Sequence, residues 1–563
     1  MKFSDMPYSR PDIAGIQREI GQCITALQNA GSFVDAEQAF LAMDKLSDRL
    51  STQVALAQIR HLIDTTDEFY DAESNFADEQ LPLVQESFQK WNRALFDSRF
   101  RPDFEKKYGE LLFRNLEIAL KAFSPEIIPD MQRENALVTE YQKLIASAQI
   151  PFEDGVYTLS QLTPFKMSAD DTRRRKAWEA EGRFYMDNAE KLDSLYDEMV
   201  SLRTAMGKKL GFDSFTGLGY CRMNRNSYGP DDVARFREAV VKYLVPVAEK
   251  LQKQQAERMG FAYPMNYADN ALMFRDGNAT PQGTAEDILA HGKTFYHELS
   301  DESREFIDFM FENELFDVLS KKGKAGGGFC SDLPDYKAPF IFANFNGTQG
   351  DVEVITHEAG HAFAGYMSRN ITPAEYRNPT LDACEIHSMS MEFFAWPWAE
   401  GFFGKDTAKF RYSHLAKAIT FIPYGCMVDH FQHIVYENPG LTPAQRHEEW
   451  RRLTAVYMPW IALDSLPFYG DGRAWQRQLH IYCDPFYYID YCLAQTVALQ
   501  FWACAQKDRS DAWQRYMSLV RLGGSRPFAE LVRAAGLTTP FEASALQDVA
   551  QTAEQWLAKN EPQ

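Results

Sequence analysis

The amino-acid sequence predicts a mainly α-helical fold with one small β element, and three features carry that expectation. Apolar residues recur at spacings of three and four through the first 150 positions, as at Ile16, Ile20, Ile24 and Leu27, the period of a helix with one buried face. Glycine and proline, which interrupt helices, are sparse over the same stretch. After Gly350 the helical pattern resumes and holds almost to the C-terminal end.

The elements follow in order. Leu111, Leu112, Leu116, Ile118 and Leu120 extend the N-terminal helical pattern. PFEDGVYTL, Pro151–Leu159, breaks it with an Asp-Gly turn between apolar residues, which predicts a short hairpin. MSADDTRRRKAWEAEG returns to helix with Ser168 or Asp170 as its cap, and its RRRK run reads as a solvated helix face. From Lys321 to Asp351 the glycines at 323, 326, 327 and 328 forbid a stable helix. APFIFANFNGT then alternates as a strand, Phe340–Asn346, ending at an Asn-Gly turn. No repeat or low-complexity tract interrupts the chain. A helical N-terminal region, 1–165, passes into a second region, 166–563, across a soft boundary, with the two lobes interleaved.

Composition excludes several classes of function. A net charge of −20 argues against nucleic acid, because phosphate binding needs clustered Lys and Arg. MKFSDMPYSRPDI carries Asp5, Pro7 and Pro11 where an export signal would be apolar. The most apolar run, Tyr491–Ala505, is too short for a membrane span and holds two Gln, so it reads as a buried helix. Eight cysteines at 23, 221, 330, 384, 426, 483, 492 and 504 form no CxxC pair, which reads as reduced thiols in a cytoplasmic protein.

VITHEAGHAFAGY, Val354–Tyr366, sets two histidines four apart with a glutamate after the first. Positions i and i+4 share a helix face. His357 and His361 can therefore each aim a ring nitrogen at one point, about 2.0–2.1 Å from a zinc ion. Glu358 flanks that point without ligating, placed to take a proton from metal-bound water. The HExxHxxGxxH form is excluded, because 364 and 367 are Ala364 and Met367. The third ligand is then a carboxylate further along, from Glu375, Glu385, Glu392 and Glu400. Glu375 follows a proline and reads as loop. LDACEIHSMSMEFFAW reads as a helix capped near Asp382, with Glu385 in its first turn and Glu392 two turns on along the same face. Glu385 as ligand with Glu392 as an outer partner is the economical assignment. His387 is the competing ligand on that helix, pointing away from Glu385.

HEAGHAF followed by EIHSMSMEFF resembles the M3 family of zinc metallopeptidases, in its oligoendopeptidase F branch. The likeness extends to PFIFANFNGTQGDVEVITHEAGH, to FIPYGCMVDHFQHIVYENP and to HIYCDPFYYIDYCLAQ, and runs from near Phe165 to the C-terminus. It implies a two-lobed helical zincin-type metallopeptidase with a small β-sheet beside the active-site helix. One zinc ion per chain would lie at the floor of a deep central channel that admits short peptides and excludes folded proteins.

Tyr488 and Tyr491, at i and i+3, can present two phenols on one helix face with His480 just upstream, and they are favoured over Tyr487. The resemblance implies that these positions stabilise the oxyanion or hold substrate. The Phe340–Asn346 strand is the expected substrate-pairing edge, with Ala343 and Asn344 as contacts. GKAGGGF, including Gly327 and Gly328, reads as a flap over the peptide; no GK[ST] makes it a phosphate loop. His430 and His433 in DHFQH lack an adjacent glutamate and a third ligand, and read as structural or substrate-facing. The function expected is a zinc endopeptidase on oligopeptides. The alternatives are a zinc carboxypeptidase on a related scaffold and an inactive helical peptide-binding protein.

Overall fold

Three long helices, Ile13–Asn29, Phe33–Ile63 and Glu68–Phe96, open the chain where the three-and-four spacing predicts them. Their starts are fixed locally. Ser32 and Asp35 form a reciprocal capping box, and the Asp67 carboxylate accepts from the Phe69 and Tyr70 amides. The computed structural model describes residues 1–562. Ile20, Phe40, Met43, Trp91 and Leu112 form a core of their own among these helices. Leu56 and Ile59, near the far end of Phe33–Ile63, belong instead to the larger core that holds most of the remaining chain. One helix thus ties the N-terminal layer to the rest.

The hairpin forms as β1 (Ile150–Phe152) and β2 (Gly155–Tyr157), antiparallel. Its turn lies one residue earlier than the Asp-Gly pair suggests. Glu153 takes the left-handed conformation at φ 51, and Gly155 pairs with Phe152. A Cβ on Gly155 would lie 2.6 Å from the Tyr157 hydroxyl, so this glycine serves clearance and not the turn. Asp170 caps the next helix, Asp171–Asp187. The RRRK run is not one solvated face. Arg173 is exposed and pairs with Glu153, but Arg174 is fully buried, donating to the Ser168 and Ala268 carbonyls and pairing with Asp171 and Asp269.

The three-stranded sheet contains β3 (Phe316–Leu319), β4 (Phe329–Leu333) and β5 (Ala338–Phe345), in the order β3-β5-β4. β5 is parallel to β3 and antiparallel to β4. It is therefore the central strand, and the expectation that it offers a free edge is corrected. β4 covers its Ala338–Phe342 stretch, and the free edge beside the site is β4. After Gly347, at φ 82, the chain turns into the helix Gln349–Ser368; the Asp351 carboxylate accepts the Asn346 and Gly347 amides and secures the join.

Helix Gln349–Ser368, which holds both histidines of the HEAGH motif, packs on helix Leu381–Phe394, which in turn packs on helix Tyr488–Ala505. The last of these contains the apolar run from Tyr491 and is buried along most of its length. Among the described residues, no helix is long and apolar enough to cross a membrane. The first two helices touch almost backbone to backbone. A Cβ on Gly360 would lie 2.7 Å from the Ser388 Cα and 2.8 Å from the His387 carbonyl oxygen. Replacing Gly360 by Ala must push these helices apart. The expected cost is about 1–3 kcal/mol of overpacking, read as a lower denaturation midpoint, with weakened metal binding in the same variant.

Candidate active site

The HEAGH helix brings His357 and His361 to one face, with ring centroids 5.1 Å apart. The neighbouring helix begins at Leu381, and Glu385 is its fifth residue, just past the first turn. Asp382 does not provide an N-cap at Thr380; its carboxylate accepts from the Ala383 amide and the Thr380 hydroxyl instead. Glu385 Oε2 lies 3.2 Å from His357 Nε2 and 3.3 Å from His361 Nε2. The donor atoms of these three residues all fall within 4.8 Å of one another.

These spacings suit a metal. Tetrahedral ligands at zinc bond lengths stand about 3.3 Å apart, which is the separation seen from the carboxylate to each imidazole. The other ring nitrogen of His357 is held at 2.7 Å by Glu392 Oε1, so Nε2 keeps its lone pair directed at the common point. Glu392 Oε2 meets His414 Nε2 at 2.7 Å, and Trp396 Nε1 donates to His414 Nδ1 at 3.0 Å. Glu385 is anchored too. Ser388 Oγ donates to its Oε2 at 2.9 Å and Tyr487 to its Oε1 at 2.5 Å. Burial alone would raise the Glu385 carboxyl; the imidazoles of His361 and His357 override that and hold it well below the usual carboxylate range.

The other candidate ligands lie elsewhere. Glu375 sits in the turn Ala374–Tyr376 and accepts from Asn115, and Glu400 is exposed. His387 is buried outside the converging group, with its Nδ1 unpartnered, and burial pushes its pKa down to about 3. His430 faces the Tyr457 hydroxyl and His433 that of Tyr220.

Glu358 is 7 % exposed and borders a cavity of about 440 Å³ that also takes in His357, His361, Glu385, His480, Tyr487 and Tyr491. Burial pushes its carboxyl above the ordinary value. Gly328 lies beside it, and a Cβ there would crowd Val354 Cγ1 at 3.1 Å. Gly328, Phe329, Cys330 and Asp332 bring the edge of β4 to the same cavity. Asn344 does not face it as a substrate contact; its amide donates to the Ala325 and Gly327 carbonyls and pins the glycine loop. The Ala343 carbonyl accepts from Lys324.

The tyrosine assignment also needs correcting. Tyr488 packs one layer back, against Phe421, Tyr424 and the His480 ring, and does not line the cavity. Tyr487 lines it. Tyr487 is the N-cap residue with helical backbone angles, φ −69 and ψ −35, four positions before Tyr491, and its ring packs on that of Tyr491. Tyr491 lines it as expected, its hydroxyl 3.3 Å from His480 Nε2. His480 has a defined proton. The Tyr424 hydroxyl donates to Gln478 Oε1, which turns the Gln478 amide nitrogen toward His480 Nδ1 at 3.0 Å. Nδ1 accepts, so Nε2 carries the hydrogen, and burial lowers the pKa to about 4, leaving a neutral donor at neutral pH.

A second cavity of about 360 Å³ shares Asp332, Gly365, Arg377 and Asn378 with the first and reaches Phe40, Trp91 and Leu95 of the N-terminal helices. Together they form a cleft running from the histidines to that layer. His414, Ser388, Tyr487 and the β4 edge were not legible in the sequence; only the tyrosine-rich PFYYIDY run signalled that Tyr487 deserved equal weight.

The Peptidase M3 N-terminal domain model matches residues 3–123 and the Peptidase family M3 model residues 278–551. A provisionally named oligoendopeptidase F of known crystal structure is 49% identical, with a TM-score of 0.97 over 99% of both chains. Pz peptidase A, solved with an inhibitor, is 47% identical, also with a TM-score of 0.97 over 99% of both chains. An oligoendopeptidase F homolog of Borreliella burgdorferi is 25% identical over 228 residues, a stretch that spans 38% of this chain and 37% of that relative.

The bridge from His357 through Glu392 to His414 yields a direct expectation. Replacing Glu392 by Gln lowers affinity for added Zn²⁺ about 10- to 100-fold, the usual cost of losing such a partner, in a competition titration against a fluorescent chelator. An unchanged affinity would remove Glu392 from the metal-holding role.

Proposed function

We propose that this chain, which belongs to peptidase family M3 in its oligoendopeptidase F branch and is a metalloendopeptidase, cleaves internal bonds of short oligopeptides using one zinc ion held by His357, His361 and Glu385. The observation that supports this best is the meeting of those three donors within 4.8 Å, with Glu358 beside them on the cavity. Zinc bound there supplies Lewis acidity, polarising the scissile carbonyl and bringing the pKa of water toward neutrality.

The protein's own groups do the rest. Glu358 accepts a proton from the attacking water and returns it to the leaving amine. Its burial favours the neutral acid that the second transfer requires. Tyr491 and the His480 Nε2–H donate to the oxygen on which negative charge develops. Tyr487 holds Glu385 in position through its hydrogen bond. The free edge of β4, entered through Gly327 and Gly328, pairs with the peptide backbone, which makes binding tolerant of side-chain sequence. The cleft between the site and the N-terminal helices has room for an extended segment and not for a folded domain. Eight free cysteines, none in a CxxC pair, favour the cytoplasm as the working compartment.

An internally quenched peptide blocked at both ends tests the reading. It is cleaved at an internal bond, and a chelator stops the cleavage until zinc is restored; no cleavage with any divalent metal would leave only a binding protein. Replacing Glu358 by Gln lowers kcat/KM about 100- to 10,000-fold while bound zinc stays at the native level. Replacing Tyr491 by Phe lowers kcat about 100- to 1000-fold, and a native kcat would exclude it as an oxyanion donor.

A further inference from the structure

Deeply buried arginines in this chain are neutralised one by one. Arg174 meets Asp171 and Asp269, Arg203 meets Glu134, Arg225 meets Asp490, Arg237 meets Asp429 and Arg446 meets Asp197. The pattern has a physical cause, since a guanidinium taken from water is costly unless it is paired. Arg477 departs from it. It is packed deep, against the ring faces of Tyr469 at 5.6 Å and Trp178 at 6.0 Å, with the Tyr424 phenol alongside. Among the described residues it forms no ion pair, and the Tyr424 hydroxyl is the hydrogen-bond partner beside its guanidinium.

The nearest carboxylate is already engaged. Glu181 accepts from Lys166 Nζ through Oε2 and from the Tyr469 hydroxyl through Oε1. Lys166, Arg477 and Glu181 leave this nook one positive charge in excess, in a chain of net charge −20. Arg477 is also not sealed. It keeps partial exposure, as do Gln478, His480, Tyr424 and Tyr491 beside it. That strip leads through the Tyr424–Gln478–His480 hydrogen bonds to the cavity that holds Glu358. A cation with no carboxylate partner thus stands beside a chain of hydrogen-bonded side chains that ends at His480 on the cavity wall.

We propose that Arg477 anchors a carboxylate of the bound peptide, and that this carboxylate is the peptide's own C-terminus. The inference rests on the peptidase reading and adds a substrate feature to it. The planar fork of a guanidinium pairs two parallel N–H groups with a carboxylate, and a C-terminal carboxylate is the one anion every short peptide carries. Such an anchor favours short substrates, whose ends come within reach of the site.

The test compares one quenched peptide in three forms: free C-terminal acid, C-terminal amide, and amide ending in Asp. The native chain is expected to cleave the acid with kcat/KM about 10- to 100-fold above the amide, as for a hydrogen bond to a charged group. In Arg477→Gln that ratio falls toward one, with the loss carried by KM, and in Arg477→Lys part of it returns. A native ratio near one, which requires no variant, overturns the assignment; so does a ratio that Arg477→Gln leaves intact. Rescue of the amide only by the terminal Asp places a side-chain carboxylate at Arg477 and overturns the C-terminal assignment. A native chain that cuts no form overturns the peptidase reading as well, whereas one that cuts all three equally overturns this inference alone.

Discussion

The structure depends on one carboxylate held between two imidazoles. Glu385 is 2 % exposed, and an ionised carboxylate there is expensive unless cations and donors surround it. Its oxygens receive hydrogen bonds from Ser388 and Tyr487, while His357 and His361 face it from the next helix. That arrangement demands close helix packing, which Gly360 permits by having no side chain where Ser388 and His387 pass. Glu392 then fixes the His357 ring from behind, and His414 and Trp396 fix Glu392. Each layer exists to hold the one inside it.

The proposed mechanism divides its duties among several elements. Glu358, the proposed general base, and the two histidines sit on one helix, so their mutual spacing follows from helix geometry alone. The third donor comes from a helix locked against the first. The oxyanion donors proposed above, Tyr491 and His480, come from a third helix and the short segment before it, where the Tyr424–Gln478–His480 relay sets which imidazole nitrogen carries the proton. β4 adds backbone groups at the cavity wall. A binding mode based on main chain, combined with anchoring of a chain end, would select peptides by length more than by residue type.

The sequence made the local parts of this site legible and left the non-local parts hidden. The i, i+4 histidines and the adjacent glutamate are written in one helix, and Glu385 with Glu392 in another, so helical phase was enough to nominate them. Tyr487 escaped because both the i, i+3 pair with Tyr488 and the i, i+4 pair with Tyr487 are helical spacings to Tyr491, and which face of that helix meets the cavity is a tertiary fact. The place of β5 in the sheet was hidden for the same reason, since strand order depends on pairing with β3 and β4 across loops. A signal did exist: seven of its eight residues are buried, and such a continuous run marks a central strand more than an edge. His414 lies on the long helix Thr407–Glu437, and nothing in its local spacing pointed to Glu392.

X-ray absorption at the zinc edge of the purified native chain tests the central claim most directly. The account predicts one zinc per chain, with two imidazole nitrogens and one carboxylate oxygen at about 2.0–2.1 Å plus a single further light atom. Sulfur in the coordination shell, or no stoichiometric metal bound after purification without chelators, would contradict it.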